Sequence, residues 1–211
     1  MILQELALPN DLLERDRDLP ILATLFDDKY INDWNTTDWL CVKVLGPWIQ
    51  QDVATHNSSY ETAKQIASWV DDPRASLWRQ RASLVSFVNI TCDGDDDDKK
   101  KTKKKKKKKK KSDMNSTEDQ QNSTLLLDLQ FDIASKLLAS SNSKERFIQT
   151  GIGWVLRERS KSYPNRVVEF TKQNSDNLSK EAFNMMTCKL SNAHRSELGL
   201  NTSTAKKRKR R

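Results

Sequence analysis

Six side chains in the less charged parts of the chain have the chemistry needed to hold a charged sugar–phosphate. They comprise one carboxylate, two guanidinium groups and three indoles, and the residues are Trp34, Asp38, Trp78, Arg81, Trp154 and Arg157. A carboxylate opposes a growing positive charge, and an indole face attracts cations. A guanidinium can hold a phosphate through two parallel hydrogen bonds. The set therefore indicates a site for a sugar–phosphate.

The spacing of these residues groups them on predicted helices. Trp34 and Asp38 are four residues apart, so they share one helix face. A W-x-x-R step occurs at Trp78–Arg81 and again at Trp154–Arg157. Each residue also has an ordinary structural explanation, because a helical tryptophan usually lies in the core and an aspartate near a helix start usually caps it. Residue type and spacing leave both interpretations open.

The elements that must position these side chains are predicted to be helices. The chain has only five glycines and five prolines, and no alternating strand pattern persists. Pro20 suits a first helical turn, Gly46-Pro47 should bend or end its helix, and Asp71-Asp72-Pro73 should form a turn. The predicted helices span 3–15, 20–30, 37–51, 59–70, 75–89, 143–162, 165–174 and 179–190, with a further apolar face at Leu126, Leu129, Ile133 and Leu137.

Helices of this length joined by short turns are typical of stacked antiparallel pairs, each too thin to bury its own core. The recurring W-x-x-R step agrees with a repeat, although no repeat aligns residue by residue. A plain helical bundle fits the periodicity almost as well. The pattern alone therefore predicts an all-α protein and leaves the arrangement of its helices open.

Charge divides the chain into segments. Its formal charge is +8, but outside residues 93–113 and 206–211 it holds 19 basic and 23 acidic residues. Residues 93–121 combine an acidic run, a lysine run and polar residues, which predicts disorder. We expect N-terminal helical repeats over 1–92, this insertion over 93–121, C-terminal helical repeats over 122–198 and a basic disordered tail over 199–211. The insertion is either a solvated loop, a non-specific DNA tether or part of an import signal.

The tail ends in six basic residues: Lys206, Lys207, Arg208, Lys209, Arg210 and Arg211. Such a run is typical of a nuclear localisation signal, which would make a nuclear import receptor a partner and the nucleus the compartment. A solvated basic tail without a receptor is the alternative.

Several classes of protein are disfavoured. The three cysteines, Cys41, Cys92 and Cys188, are far apart and accompany only two histidines, so we expect no metal site, no disulfide framework and a reducing compartment. The N-terminus lacks the pattern of a signal peptide, and no apolar run is long enough to span a membrane. We expect a monomer that needs no cofactor and does not bind a membrane.

Three segments resemble, in the correct order, those of the DNA alkylation repair family. Residues 31–38, I-N-D-W-N-T-T-D, with the later Leu45-Gly46, are similar to its W-D-x-x-D…G segment. Residues 78–82, W-R-Q-R-A, are similar to its W-x-x-R-A helix. Residues 147–158, F-I-Q-T-G-I-G-W-V-L-R-E, resemble its stretch F-I-x-K-A-I-G-W-x-L-R-E. Ser162-Tyr163-Pro164 and Leu178-Ser179 continue the likeness, which covers about residues 20–190 without the insertion.

The resemblance implies a right-handed superhelix of HEAT-like repeats with a concave DNA-binding face. It implies a monofunctional glycosylase that removes ring-nitrogen-alkylated purines from double-stranded DNA, without the base extrusion that most glycosylases use. Asp38 matches the catalytic carboxylate. Trp34 and Trp154 match the aromatic residues that hold the sugar, and Arg81 matches the arginine beside them. We further expect Arg81 to grip a backbone phosphate, with Arg157 and Trp78 as additional DNA contacts.

The chain departs from the family pattern at three places. Only 33 residues precede Trp34, which implies that the family's N-terminal repeats are lacking. Asn35 replaces the usual aspartate, and Thr150-Gly151 replaces the usual Lys-Ala. The first hypothesis is a nuclear DNA glycosylase acting through Asp38. The second is a catalytically inactive HEAT-like module that binds DNA or protein, which the short N-terminus favours.

Overall fold

The computed structural model describes Glu5 and residues 12–55, 60–90 and 116–200. These ranges contain helices and no β-strand, which confirms the predicted all-α class; a right-handed superhelix remains a prediction. The α-helices are α1 (Arg15–Asp27), α2 (Trp34–Leu40), α3 (Gly46–Thr55), α4 (Glu61–Ala67), α5 (Leu77–Val85), α6 (Ser116–Ala139), α7 (Arg146–Arg159), α8 (Pro164–Gln173), α9 (Lys180–Thr187) and α10 (Asn192–Glu197).

Helix α1 corrects the prediction for the first helices. It begins five residues before Pro20, so this proline lies inside the helix and not in its first turn. Acidic Asp16 and Asp18 in the first turn favour this earlier start, because they face the positive end of the helix dipole. The predicted helix over 3–15 lies mostly outside the described residues, and residues 12–14 are not helical.

The segment from α2 to α3 continues through Gly46-Pro47 where a bend or an end was predicted. The five residues Cys41–Leu45 form a π-helical turn between α2 and α3. Pro47 has no N–H for the carbonyl of Lys43, so the regular bond pattern cannot continue at this point. A Cβ atom on Gly46 would lie 2.9 Å from the carbonyl oxygen of Ser86, so glycine allows α3 to approach the end of α5.

Helix α5 lies at the centre of the described fold. It packs against α1, α2, α4, α6 and α7. A turn of 3-10 helix, Ser68–Asp71, follows α4. The chain then turns at Pro73 and enters α5, in agreement with the turn predicted at Asp71-Asp72-Pro73. Most of the buried residues are apolar, and Leu45, Leu84, Ile133, Ile152 and Leu156 are fully buried. Such burial provides most of the favourable free energy of helix packing.

Helices α7 and α9 have the most extensive contact of the helix pairs in the C-terminal part. A Cβ atom on Gly153 would lie 3.1 Å from both the Cα atom and the carbonyl oxygen of Ala182. This glycine therefore allows α9 to lie directly against α7. The contact matters for the site, because both helices contribute side chains to it.

The predicted apolar face after the insertion is confirmed. Leu126, Ile133 and Leu137 are buried, and Leu129 is partly buried, all on α6. The helix begins at Ser116, six residues inside the predicted disordered insertion of 93–121. Residues 93–115 and the basic tail from 201 onward lie outside the described residues. No helix in the described ranges is long and apolar enough to cross a membrane.

Candidate active site

Helix α2 positions Trp34 and Asp38. Asp33 caps the helix by accepting a hydrogen bond from the backbone N–H of Thr36 at 2.9 Å, which fixes where the helix starts. Asp33 is thus the capping aspartate, and Asp38 is free of that structural role. Trp34 is 54% exposed, a high value for tryptophan, which shows that it is not a core residue.

Helix α5 brings Arg81 to Asp38. The Nε and Nη2 atoms of Arg81 donate to the two carboxylate oxygens of Asp38 at 2.8 and 2.9 Å. Only 5% of the Arg81 side chain and 15% of the Asp38 side chain is exposed. Two parallel bonds define the orientation of both planar groups. The carboxylate is therefore held in one position relative to α5.

The third nitrogen of Arg81 ties the pair to α7. Its Nη1 atom donates to the carbonyl oxygen of Phe147 and lies 3.4 Å from the hydroxyl of Thr150. A Cβ atom on Gly151 would lie 3.0 Å from this nitrogen, so the glycine leaves room for the guanidinium. Arg81 therefore joins three helices at one point.

An open pocket of about 460 Å³ lies over the Asp38–Arg81 pair. This volume falls within the range of small-molecule sites in proteins. Trp34, Asp38, Arg81 and Trp154, the four residues predicted to form the catalytic site, all line it. The other lining residues are Arg146, Phe147, Thr150, Arg157, Glu181 and Met185.

Two of the predicted DNA contacts are placed differently from the expectation. Trp78 does not line the pocket; its indole packs on the ring of Phe147, with the ring centroids 4.9 Å apart, behind the pocket wall. Arg81 is buried with its fork directed at Asp38, which does not fit the expectation that this fork grips a phosphate. Arg157 does line the pocket, and its guanidinium donates to the neighbouring Glu158 at 2.8 and 2.9 Å.

The sequence interpretation missed five pocket residues. Arg146 and Thr150 precede Trp154 by eight and four residues, so helical spacing alone places all three on one face of α7. Glu181 and Met185 are likewise four residues apart on α9, but nothing in their spacing indicates that α9 packs against α7. Phe147 also lines the pocket, and its backbone carbonyl accepts a hydrogen bond from Arg81, a role that side-chain type cannot reveal.

Cys41 lies close to the Asp38–Arg81 pair but is not accessible to solvent. The residue is fully buried in the π-helical turn, and its thiol contacts the carbonyl oxygen of Ala82 at 3.9 Å. Burial raises the pKa of the Cys41 thiol to about 12. The nucleophilic thiolate form is therefore nearly absent at neutral pH.

The described residues contain no group of three or more His, Cys, Asp or Glu side chains arranged to hold a metal ion. The ionic groups of the pocket are instead three arginines and two carboxylates. This composition suits an anionic ligand that also carries or develops positive charge at one point.

Comparison with protein families shows to which family the chain belongs. The model of the DNA alkylation repair enzyme family matches residues 5–185, a span that includes every pocket residue. The chain belongs to the DNA alkylation repair enzyme family. Membership confirms the resemblance found in the three sequence segments and assigns the chain an enzymatic role in DNA repair, with DNA as the substrate. Neither the curated proteins nor the solved structures contain a match to this chain.

Proposed function

We propose that this DNA alkylation repair enzyme hydrolyses the N-glycosidic bond of ring-nitrogen-alkylated purines in double-stranded DNA. The observation that carries the proposal is the placement of Asp38: an ion-paired carboxylate that opens into a pocket between Trp34 and other aromatic and cationic side chains. Family membership supports a repair role, and the pocket supports this particular chemistry.

The reaction places its main demand on charge stabilisation. Alkylation of a ring nitrogen makes the purine cationic, so it leaves with the electron pair of the glycosidic bond as a neutral base. The sugar then carries the positive charge until water adds to its anomeric carbon and loses a proton to solvent. No general acid is required, and the residue that matters most is an anion near the sugar.

Asp38 fits this requirement. A carboxylate offers about four lone-pair directions, and the Arg81 fork occupies two of them. Within the described part of the chain its oxygens accept from no other group, so the remaining directions are available to the sugar and the attacking water. Arg81 acts here as a positioning residue, because its hydrogen bonds to α2 and α7 hold the carboxylate in place. Such a preformed anion needs little reorganisation as charge develops.

The two indoles complete the proposed sugar site. Trp34 and Trp154 both line the pocket, and their faces attract a cationic sugar through the quadrupole of the ring. The half-exposed position of Trp34 leaves its face accessible to DNA. An open pocket also agrees with a mechanism that does not fully extrude the base.

An alternative repair chemistry would transfer the alkyl group directly to a cysteine. This requires a thiolate that the adduct can reach, and Cys41 provides neither property because it is fully buried and its pKa is raised to about 12. Hydrolysis at the sugar is therefore favoured over alkyl transfer at this site.

Two further elements of the proposal are the compartment and the oligomeric state, and the first of these rests on residues outside the described ranges. We infer that the six basic residues at 206–211 direct nuclear import through an import receptor, and that the protein acts as a monomer. Fusing this tail to a fluorescent protein tests the inference: the fusion should accumulate in nuclei, and a version with all six residues replaced by alanine should not.

The experiment that tests the proposed reaction is incubation of the full chain with duplex DNA that carries methylated purines. We expect free methylpurine in the supernatant and an equal number of abasic sites in the DNA, because the methyl group leaves on the base. Methyl transfer to protein would instead leave the purine in DNA and add mass to a cysteine-containing peptide. DNA binding without either product would indicate a non-catalytic module.

A further inference from the structure

A second ion pair lies at the pocket and has no role in the proposed chemistry. Arg146, the first residue of α7, donates from Nε and Nη2 to the carboxylate of Glu181 on α9 at 2.9 and 2.8 Å. Both residues line the pocket, and their side chains are 68% and 44% exposed. The hydrogen bond lowers the pKa of the Glu181 carboxyl and raises that of Arg146, so both groups are charged at neutral pH.

Solvent exposure indicates that this pair contributes little to folding. An exposed ion pair between two long side chains gains modest energy in water and loses side-chain entropy. Helices α7 and α9 also pack closely elsewhere, where Gly153 lies against Ala182, so their contact does not consist of this pair alone. A bidentate pair at the mouth of a DNA-binding pocket therefore suggests a role in binding.

We infer that Arg146 contacts a DNA backbone phosphate and that Glu181 occupies the phosphate's position in the free protein. The inference rests on the proposed function, because it assumes that DNA occupies this pocket. The fork that matches a carboxylate also matches two phosphate oxygens, so the guanidinium can exchange one partner for the other without changing its geometry. Glu181 then acts as a competitor that DNA must displace.

Three features of the site support a phosphate at this position. The Arg81 fork, which was expected to grip the backbone, is engaged by Asp38, which leaves the other pocket arginines as candidates for a phosphate contact. Arg146 is the most exposed of the pocket arginines. It also begins α7, whose first turn receives no side-chain cap from Glu145, so the positive end of the helix dipole adds to the attraction.

Two roles of the ion pair, exchange of Glu181 for a phosphate and attachment of α9 to α7, predict different changes in DNA affinity. If DNA replaces Glu181, Arg146→Gln weakens DNA binding and Glu181→Gln strengthens it. If the pair only pins α9 to α7, both substitutions remove the same interaction and shift DNA affinity in the same direction. A matched control is the ion pair between Arg166 on α8 and Asp128 on α6, which is similarly exposed and does not line the pocket.

The test measures binding of a short unmodified duplex by the full chain at several salt concentrations. Losing one phosphate contact should make the slope of log affinity against log salt shallower by about 0.9 in Arg146→Gln. The affinity ratio of wild type to this variant should then fall roughly threefold between about 50 and 200 mM salt. Glu181→Gln should raise affinity with the wild-type slope, and more than Asp128→Asn does.

The double variant isolates the exchange. In the Arg146→Gln background, Glu181→Gln should raise affinity no more than Asp128→Asn, because the competitor has nothing left to compete for. The inference is overturned if Arg146→Gln has the wild-type salt slope, or if Arg166→Gln loses as much DNA affinity as Arg146→Gln does. Base release is measured separately: activity without the slope change refutes this inference alone, and the slope change without activity refutes the glycosylase proposal alone.

Discussion

Two arginines on helix α5, two residues apart, are equally buried and both paired with acids, yet their surroundings differ. Arg79 lies between Asp27 and Asp72, with its Nη1 atom 3.0 Å from Asp27. Both acids also accept from backbone N–H groups, Asp27 from Ser76 at 3.0 Å and Asp72 from Arg74 at 2.9 Å. This cluster ties the end of α1 and the turn before α5 together and opens into no pocket of the site.

The Arg81 region has one acid where the Arg79 region has two. Asp38 receives both bonds from the arginine, and its other side faces the pocket. Both arginines are buried and both are ion-paired, so neither property by itself marks function. Asp38 differs from Asp27 and Asp72 in two ways: it lines a pocket, and its carboxylate accepts no hydrogen bond from a backbone N–H group in the described ranges. We therefore expect substitutions at Arg81 to affect catalysis and those at Arg79 to affect stability.

The largest expected effect is that of Arg81→Met. The substitution leaves Asp38 and the Phe147 carbonyl without their common partner, which should lower the free energy of unfolding by about 3 kcal/mol. Single-turnover base release by the folded variant should fall roughly a hundredfold, because the carboxylate is no longer held at the sugar. Arg81→Lys keeps the positive charge but lacks the two-pronged guanidinium. Its rate of base release should lie between those of wild type and Arg81→Met. A variant that releases base at the wild-type rate would contradict the positioning role.

Arg79→Met should show the reverse profile. It removes both ion pairs of the structural cluster, and because the two acids are about one third exposed we expect a loss of about 2 kcal/mol in urea unfolding. Base release per folded molecule should match wild type at a temperature well below the transition. If activity fell as far as in Arg81→Met, the separation of the two regions would be wrong.

A smaller effect should appear in the pH dependence of stability. The hydrogen bond from the backbone N–H of Arg74, followed by that from Arg79, lowers the pKa of Asp72 below its ordinary value of 3.8. A lowered pKa in the folded state stabilises the protein above the ordinary value, and this contribution is lost as pH falls through the lowered value. Urea unfolding of Asp72→Asn should therefore depend less steeply on pH below about 4 than that of wild type. Parallel curves for the two proteins would show that Asp72 is not coupled to folding.

The helical class, and the convergence of Trp34, Asp38, Arg81 and Trp154 on one pocket, could be predicted from helical spacing, residue type and the family segments. Pairing Trp34 with Asp38 needed only a helix, and the family segments brought Arg81 and Trp154 to the same place. The predicted place of Pro20 in a first helical turn was wrong because α1 begins at Arg15, a start that Asp16 and Asp18 favour. The Arg146–Glu181 pair could not be predicted, since it depends on how closely Gly153 lets α9 approach α7.

The same distinction explains the differences at Arg81 and Trp78. Residue type indicated that both side chains could contact DNA. The packing of α5 against α2 and α7 shows that the Arg81 guanidinium is already bonded to Asp38 and that the Trp78 ring already packs on Phe147. Local sequence thus identifies which side chains are suited to a site, and long-range packing determines which of them remain free to act.

The most direct test of the account is single-turnover release of methylpurine by Asp38→Asn, with Asp72→Asn as the matched control. Removing the negative charge while keeping the shape should cost on the order of 3 kcal/mol of transition-state stabilisation, or roughly a hundredfold in rate. Affinity for the duplex should stay the same or rise slightly, because a carboxylate near the phosphates is lost. Asp72→Asn should release base at the wild-type rate. Equal rates for wild type and Asp38→Asn would contradict the central claim that Asp38 stabilises the sugar cation.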